Sequence, residues 1–347
     1  MPTDLDTGEK SAESGPVQPG RDAQRTYPRF EGDIRDWEKA WLGLYPLLAA
    51  DGYILRDRYN PDWLPNPDPA AGSSSSAICQ EAQGPISWEN RIRLRSARLM
   101  DAVRIHDGQR VVIKRVDLSR GIRHHEWNIN KIFAPDEVAH NPRNHCIRLL
   151  DYLRYPGTNW ELLVMPQMLL FDVTPFETVD EVLQFVMQIL EGVAFMHELN
   201  VAHRDIGPFN IVMYSPDLFP DGTNYLVPGY QTDLSSDPSV FRARRQVYVR
   251  YFLIDFGLSW AFPDAGSRHH LPIVRGQLKD VPEYATSQVC DGFALDVWCI
   301  GRLIETEFMD VSQPHKSVAS NATYFLTPGF PCRSIVFQSI SASLRPG

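Results

Sequence analysis

The stretch His203-Arg204-Asp205-Ile206-Gly207-Pro208-Phe209-Asn210 constrains this chain most, because it sets polar and charged side chains between elements that read as core. Upstream, Thr178-Val179-Asp180-Glu181 has the form of a capping box. It opens a helix to Leu199 whose stripe Val182, Val186, Ile189, Val193 and Met196 is core. His197, near the end of that helix, reads as a capping or packing residue. Downstream, Ile211-Val212-Met213 and Tyr251-Phe252-Leu253-Ile254 read as short strands, the second entering Asp255-Phe256-Gly257. Between them, about 214–248 is rich in Pro, Gly, Asp and Ser and is expected to be an irregular surface insertion. Val111-Val112-Ile113-Lys114 precedes the octapeptide, and Val281-Pro282-Glu283 closes the series.

The octapeptide has the form H-R-D-x-x-x-x-N. With the other three motifs in this order, it resembles the catalytic loop of protein kinases. The resemblance covers about residues 92–309, and the blocks 144–151 and 251–259 are similar to those of a protein-kinase group common in mushroom-forming fungi. It implies an α+β, bilobal fold with a small β-rich N-lobe over 85–167 and a larger, mainly helical C-lobe over 168–309. The C-lobe is expected to be incomplete, because the atypical tail 310–347 does not look like its closing helices.

Ahead of the lobes, residues 1–27 are polar and are expected to be a disordered tail. Residues 28–84 read as an N-terminal extension. Within it, Trp37, Trp41, Leu44 and Leu48 form one helical stripe ending near Asp51-Gly52, followed by a Pro/Ser-rich loop. Such a stripe docks on a neighbouring domain or receives a partner, and docking is the simpler expectation.

In the N-lobe, Asp107-Gly108 is a hairpin turn signal joining strands over 101–106 and 109–115. Lys114 would lie near the centre of the second strand. A helix is expected from Ser119 to Ala134, stopped by Pro135. Glu126 is its one acidic residue and shares a face with Ile122, Ile129 and Phe133. An inward-facing acid needs a cation, and Lys114 is the candidate. Two further strands are expected over 144–154 and 160–165.

The resemblance implies ATP and magnesium as cofactors and a protein as substrate. Asp205 would accept the proton of the attacking hydroxyl, and Asn210 and Asp255 would hold magnesium. Lys114, locked by Glu126, would orient the α/β-phosphates. Val103, Val112, Gln167, Met168 and Val212 would complete the nucleotide-binding set, with the hinge backbone at Gln167 and Met168 meeting the adenine edge. Arg204 resembles the arginine of kinases whose activation segment is organised by a phosphate. His203 and Phe256 would pack the loop against the glutamate helix, and Asp296 would tie down its backbone.

Four departures stand against the pattern. No glycine occurs from Pro85 to Asp107, where a Gly-rich loop should cover the phosphates, and Ser96–Asp101 is its counterpart by position. There Asp101 would repel phosphate. Gly207 stands where serine/threonine kinases carry a lysine. The threonine that partners this lysine is also gone, since no Thr or Tyr lies between Gly257 and Glu283. Asn130 stands where an apolar side chain should meet Phe256, so either Ile129 substitutes or the glutamate assignment is one register off. Glu283 should meet an arginine from the missing helices, with Arg333 and Arg345 as weak candidates. Three functions therefore stay open. A protein kinase, with serine or threonine favoured over tyrosine as acceptor, leads over a pseudokinase scaffold and a small-molecule phosphotransferase.

Composition narrows the partners. A formal net charge of -9 argues against nucleic acid and acidic membrane, and the basic run Arg242–Arg245 reads as a solvated loop. Five scattered cysteines without a C-x-x-C pair indicate neither a disulfide framework nor a zinc site. Without an apolar signal region near Met1 or a run approaching the ~20 residues of a membrane span, the expectation is cytoplasmic or nuclear.

Overall fold

A computed structural model describes residues 34–62, 96–118, 125–226, 228–229 and 239–309. The expected tails 1–27 and 310–347, with Arg333 and Arg345, lie outside the described residues, as does most of the Pro/Ser-rich loop.

The first apolar stripe makes helix α1 (Lys39–Ala50), which buries Trp41, Leu44 and Leu48. Its interior Pro46 removes one backbone donor, so burial of the stripe carries the helix. Gly52, at φ 86°, turns the chain out of the helix into strand β1 (Tyr53–Leu55). β1 pairs with β2 (Leu99–Arg104), and β2 pairs through the Gly108 turn with β3 (Arg110–Asp117). After helix α2 (His125–Ile132) and a single turn α3 (Asp136–Ala139), strands β4 (Asp151–Arg154) and β5 (Trp160–Pro166) complete an antiparallel sheet of order β1-β2-β3-β5-β4.

Strand alternation splits this sheet into two faces. Met100, Ala102, Val111, Ile113, Leu162 and Val164 form one buried cluster with Trp41, Leu44, Leu48, Tyr53 and Leu55. The opposite face carries Val112 and Lys114. Helix α1 therefore roofs the sheet on the side away from Lys114.

This arrangement corrects the boundary at residue 84, because the stretch read as an extension supplies the edge strand of the N-lobe sheet. A three-residue strand shows no period, and its pairing with β2 spans more than forty positions. The strand expected over 144–154 is also shorter, beginning at Asp151. Residues 145–147 instead run beside the C-lobe: Leu253 N–H donates to His145 O at 2.6 Å, and Ile147 N–H donates to Leu253 O at 3.0 Å.

In the second lobe, β6 (Leu169–Leu170) leads to the long helix α4 (Val179–Glu198), opened by the expected Thr178/Glu181 capping box. The short strand β7 (Val201–Ala202) precedes the His203–Asn210 loop. β8 (Ile211–Tyr214) and β9 (Arg250–Leu253) then form an antiparallel pair in a sheet of order β6-β8-β9. Beyond Asp255, β10 (Trp260–Ala261) pairs with β7, and β11 (Leu271–Pro272) pairs with β12 (Val289–Cys290) across the turn α5 (Glu283–Thr286). Helix α6 (Gly292–Ile304) packs into the same core as α4.

The insertion is no loose excursion where it is described. Leu218 and Phe219 are buried in the C-lobe core. Arg244, expected in a solvated run, is 4% exposed. Its guanidinium donates to Phe171 O and Thr174 O, both at 2.6 Å, to Pro175 O at 3.2 Å and to the Tyr251 hydroxyl at 2.8 Å. It also lies 4.0 Å from the Phe176 ring centroid. Carbonyls left over at the end of β6 take up the arginine, a pairing across distant positions that no charge run discloses.

Candidate active site

Among the described residues three non-glycine positions have positive φ, and two of them, Arg204 (68°) and Asp255 (64°), lie in the two central motifs. Holding a side-chain-bearing residue there costs of order 1–3 kcal/mol each and needs surrounding contacts to impose it. Asp296 on α6 supplies those for the first motif. Fully buried, it accepts from His203 N–H at 2.8 Å and Arg204 N–H at 2.6 Å. His197 donates to it from below at 2.9 Å, which gives that residue a role that spacing did not show. The His203 ring accepts from the Asp205 amide through Nδ1 at 3.2 Å. Its proton therefore sits on Nε2, which donates to Ile254 O at 3.1 Å. Through this one ring the loop is tied to the strand that delivers Asp255.

Asp205 is held on several sides. Asn210 Nδ2 donates to its backbone oxygen at 2.8 Å and to Oδ2 at 3.1 Å. The Gln277 amide donates to Oδ1 at 2.6 Å. Burial pushes the Asp205 carboxyl above its ordinary value, against the opposing pull of the Gln277 hydrogen bond, while the nearby charge of Asp255 adds to the rise.

Lys114 and Glu126 meet as the helix stripe requires: Lys114 Nζ lies 2.7 Å from Glu126 Oε1. The same ammonium reaches Asp255 Oδ1 at 2.6 Å, so one cation joins the sheet, α2 and the second lobe. Burial works against the lysine charge, but the two carboxylates outweigh it and raise its pKa. Burial likewise opposes ionisation of Asp255, yet the charge and hydrogen bond of Lys114 prevail and hold that carboxyl below its ordinary value. Phe256 lies 5.4 Å from both Phe133 and His203, ring to ring. Phe133 thus packs on Phe256 beside the place that Asn130 leaves, in the same buried cluster as Ile129. Asn130 turns its amide to Glu126 O at 2.8 Å, which steadies the turn carrying the glutamate.

The remaining candidates divide. Val112 lies two residues from Lys114 on the same strand, and Val212 is buried in β8. Val103 is set apart, opposite Arg110 at the hairpin end and 36% exposed, whereas Leu99 stands opposite Lys114. At roughly 3.3 Å per residue, the four-residue offset carries Val103 about 13 Å along the sheet. In the hinge, the Gln167 amide already donates to Arg110 O at 3.1 Å, so that group is used by the chain itself. Met168 packs at the edge of the C-lobe core.

The second half of Ser96–Asp101 is strand rather than covering loop, since β2 begins at Leu99. The connection from β1 to β2 runs over 56–98, of which 63–95 lie outside the described residues. Asp101 pairs with Arg56 at 3.1 Å, both side chains buried, so its charge is matched rather than repelling. Ser259 is buried and donates to His203 O at 3.0 Å. Arg204 donates to Pro272 O at 2.6 Å, anchoring the activation segment through a backbone carbonyl. Glu283 is exposed, so no buried charge awaits an arginine there.

The donor set fits a hard cation. Asp255 offers a carboxylate and Asn210, with Nδ2 committed to Asp205, offers its amide oxygen. Ile254 N–H donates to Asn210 O at 3.0 Å, which sets the two motifs side by side. Two protein oxygens suit magnesium, which keeps water and phosphate as its other ligands.

No protein-family model matches the chain. It is 26% identical over 212 residues to cyclin-dependent kinase 20 of the zebrafish Danio rerio, a match covering 58% of this chain and 50% of that protein. The chain thus spans about half the length of this curated relative. Among solved structures it is similar to the Cydia pomonella granulovirus kinase PK-1, at 17% identity and a TM-score of 0.42, covering 61% of this chain and 64% of that one. No helix among the described residues is long and apolar enough to cross a membrane. The ordered motifs, the two-lobed fold and the sequence relative together make this a protein-kinase-like domain.

Proposed function

We propose that this domain transfers the γ-phosphoryl group of ATP to a hydroxyl on a protein, with serine or threonine as the acceptor. The observation that carries the reading is Lys114 held at once by Glu126 and Asp255, with Asp205 and Asn210 hydrogen-bonded beside them. Phosphoryl transfer passes through a loose transition state and asks mainly for positioning and charge neutralisation. Lys114, kept charged by its two partners, would bind the α/β-phosphates. Asp255 and Asn210 would hold magnesium, which when bound neutralises charge building on the phosphate oxygens. Asp205 would orient the acceptor hydroxyl and take its proton, a role for which a carboxyl raised above its ordinary value is suited.

A second reading, a nucleotide-binding scaffold without transfer, is favoured by one feature: the glycine-free stretch from Pro85 to Asp107. Transfer of labelled γ-phosphate from Mg·ATP to a peptide library separates the two. Activity lost in Asp205→Ala, about a hundredfold or more for a missing base, supports the kinase reading. A wild-type chain that melts cooperatively, is stabilised by Mg·ATP and transfers nothing would replace it with the scaffold. Mg·ATP at about 100 times its dissociation constant should add about 2.7 kcal/mol, or several degrees at roughly 2–4 °C per kcal/mol. Asp255→Asn should abolish that shift.

A further inference from the structure

Gly207 and the activation segment depart from the kinase pattern together, and the structure shows what fills the gap. Gly276 passes so close to Asp205 that a Cβ there would lie 2.2 Å from Oδ1 and 2.9 Å from Cγ. The next residue, Gln277, gives its backbone N–H to the same Oδ1 at 2.6 Å. Its side chain lies against Gly207, where a Cβ would meet Gln277 Oε1 at 2.9 Å and Cδ at 3.1 Å. From there Oε1 accepts the Phe209 amide at 3.0 Å, bracing the catalytic loop between Asp205 and Asn210. Gly207 is extended, at φ −173° and ψ 174°, a conformation open to any residue. Its lack of a side chain therefore serves space, not backbone freedom. The Gln277 Nε2 is buried and meets no acceptor among the described residues, so it has a hydrogen bond to give to a group arriving at the site.

We propose that Gln277 is the positioning residue for Asp205 in the transfer step, with Gly207 and Gly276 kept small to admit it. One residue thereby replaces two: its amide fixes the carboxylate and its side chain braces the loop, work divided elsewhere between a lysine and a threonine. The backbone donor needs close approach, which Gly276 permits. The side-chain brace needs an open flank, which Gly207 provides. The proposal rests on the phosphotransfer reading.

The test uses the full chain, Mg·ATP and the peptide library, with Gly276→Ala and Gln277→Glu variants. Gly276→Ala forces the carboxylate aside and should lower kcat about a hundredfold, leaving KM for ATP within twofold. Gln277→Glu keeps the oxygen that braces Phe209 but sets a negative charge beside Asp205, so the acidic limb of kcat/KM should move to higher pH. The limb moves only if residue 277 lies against Asp205 in the active chain, and a side chain that braced the loop from elsewhere would leave it unmoved. If Gly276→Ala fails to melt cooperatively, the Gln277→Glu limb alone decides: a shift supports the proposal and an unmoved limb overturns it. An active wild type with folded, indifferent variants overturns the Gln277 role and leaves the kinase reading intact. An inactive wild type overturns both.

Discussion

At the scale of single residues, the site is governed by two carboxylates pushed in opposite directions. Asp255 is held ionised by Lys114, and Asp205 is pulled toward its protonated form by burial. The signs can be worked through. Asp255 titrates lower in the folded chain than unfolded, so its contribution to stability is present above the ordinary aspartate value. It is lost only as pH falls through the lowered one. Asp205 titrates higher when folded, so ionising it costs stability as pH rises through that raised value. Only the ionised form can act as a base. The acidic limb of kcat/KM should therefore lie above the ordinary aspartate pKa of about 3.9, while the Lys114–Asp255 pair stays intact across it. A pH–rate profile with its limb at or below that value would contradict the assignment of Asp205 as base. That Lys114 meets Glu126 and Asp255, and Asp205 meets Asn210, could be expected from motif order and the helix stripe of Glu126. The parts played by Gln277 and Phe133 could not, because what they do depends on which distant groups they touch.

Among the elements, the insertion tests how far composition can be trusted. Its Pro, Gly, Asp and Ser content points to a surface loop, yet its returning end carries the arginine that satisfies three backbone carbonyls. Replacing Arg244 with Met keeps bulk and removes the donors. The carbonyls of Phe171, Thr174 and Pro175 then lose their partner at about 1–3 kcal/mol per buried group left unsatisfied. A loss of several kcal/mol is expected, visible as a fall in melting temperature of roughly 10 °C. A melt within two degrees of wild type would show that the guanidinium is dispensable. Helices α1 and α4 were readable because each keeps a 3.6-residue period over three turns or more. The segment 144–150 was misread because a run that bridges two sheets has apolar residues without belonging to a strand of either.

For the whole molecule, the boundary drawn at residue 84 is the informative error. A chain beginning at residue 85 would lack β1 and α1, leaving the β2 edge unpaired and Met100, Ala102, Val111 and Ile113 open to water. That chain should be insoluble or lose its cooperative melt, whereas one beginning at residue 34 should melt like the full chain. Equal melts for all three would mean that α1 is an accessory. The bilobal α+β architecture was foreseeable from the motif order. The roof over its smaller sheet was foreseeable only as a docked helix of unknown address.

The separation of β1 from β2 also bears on what this sheet tolerates. Closing a loop costs free energy that grows only with the logarithm of its length, so doubling the connection over 56–98 adds just about 0.6 kcal/mol. Added length between the first two strands is thus expected to cost this sheet little, and a chain lengthened there should keep its cooperative melt.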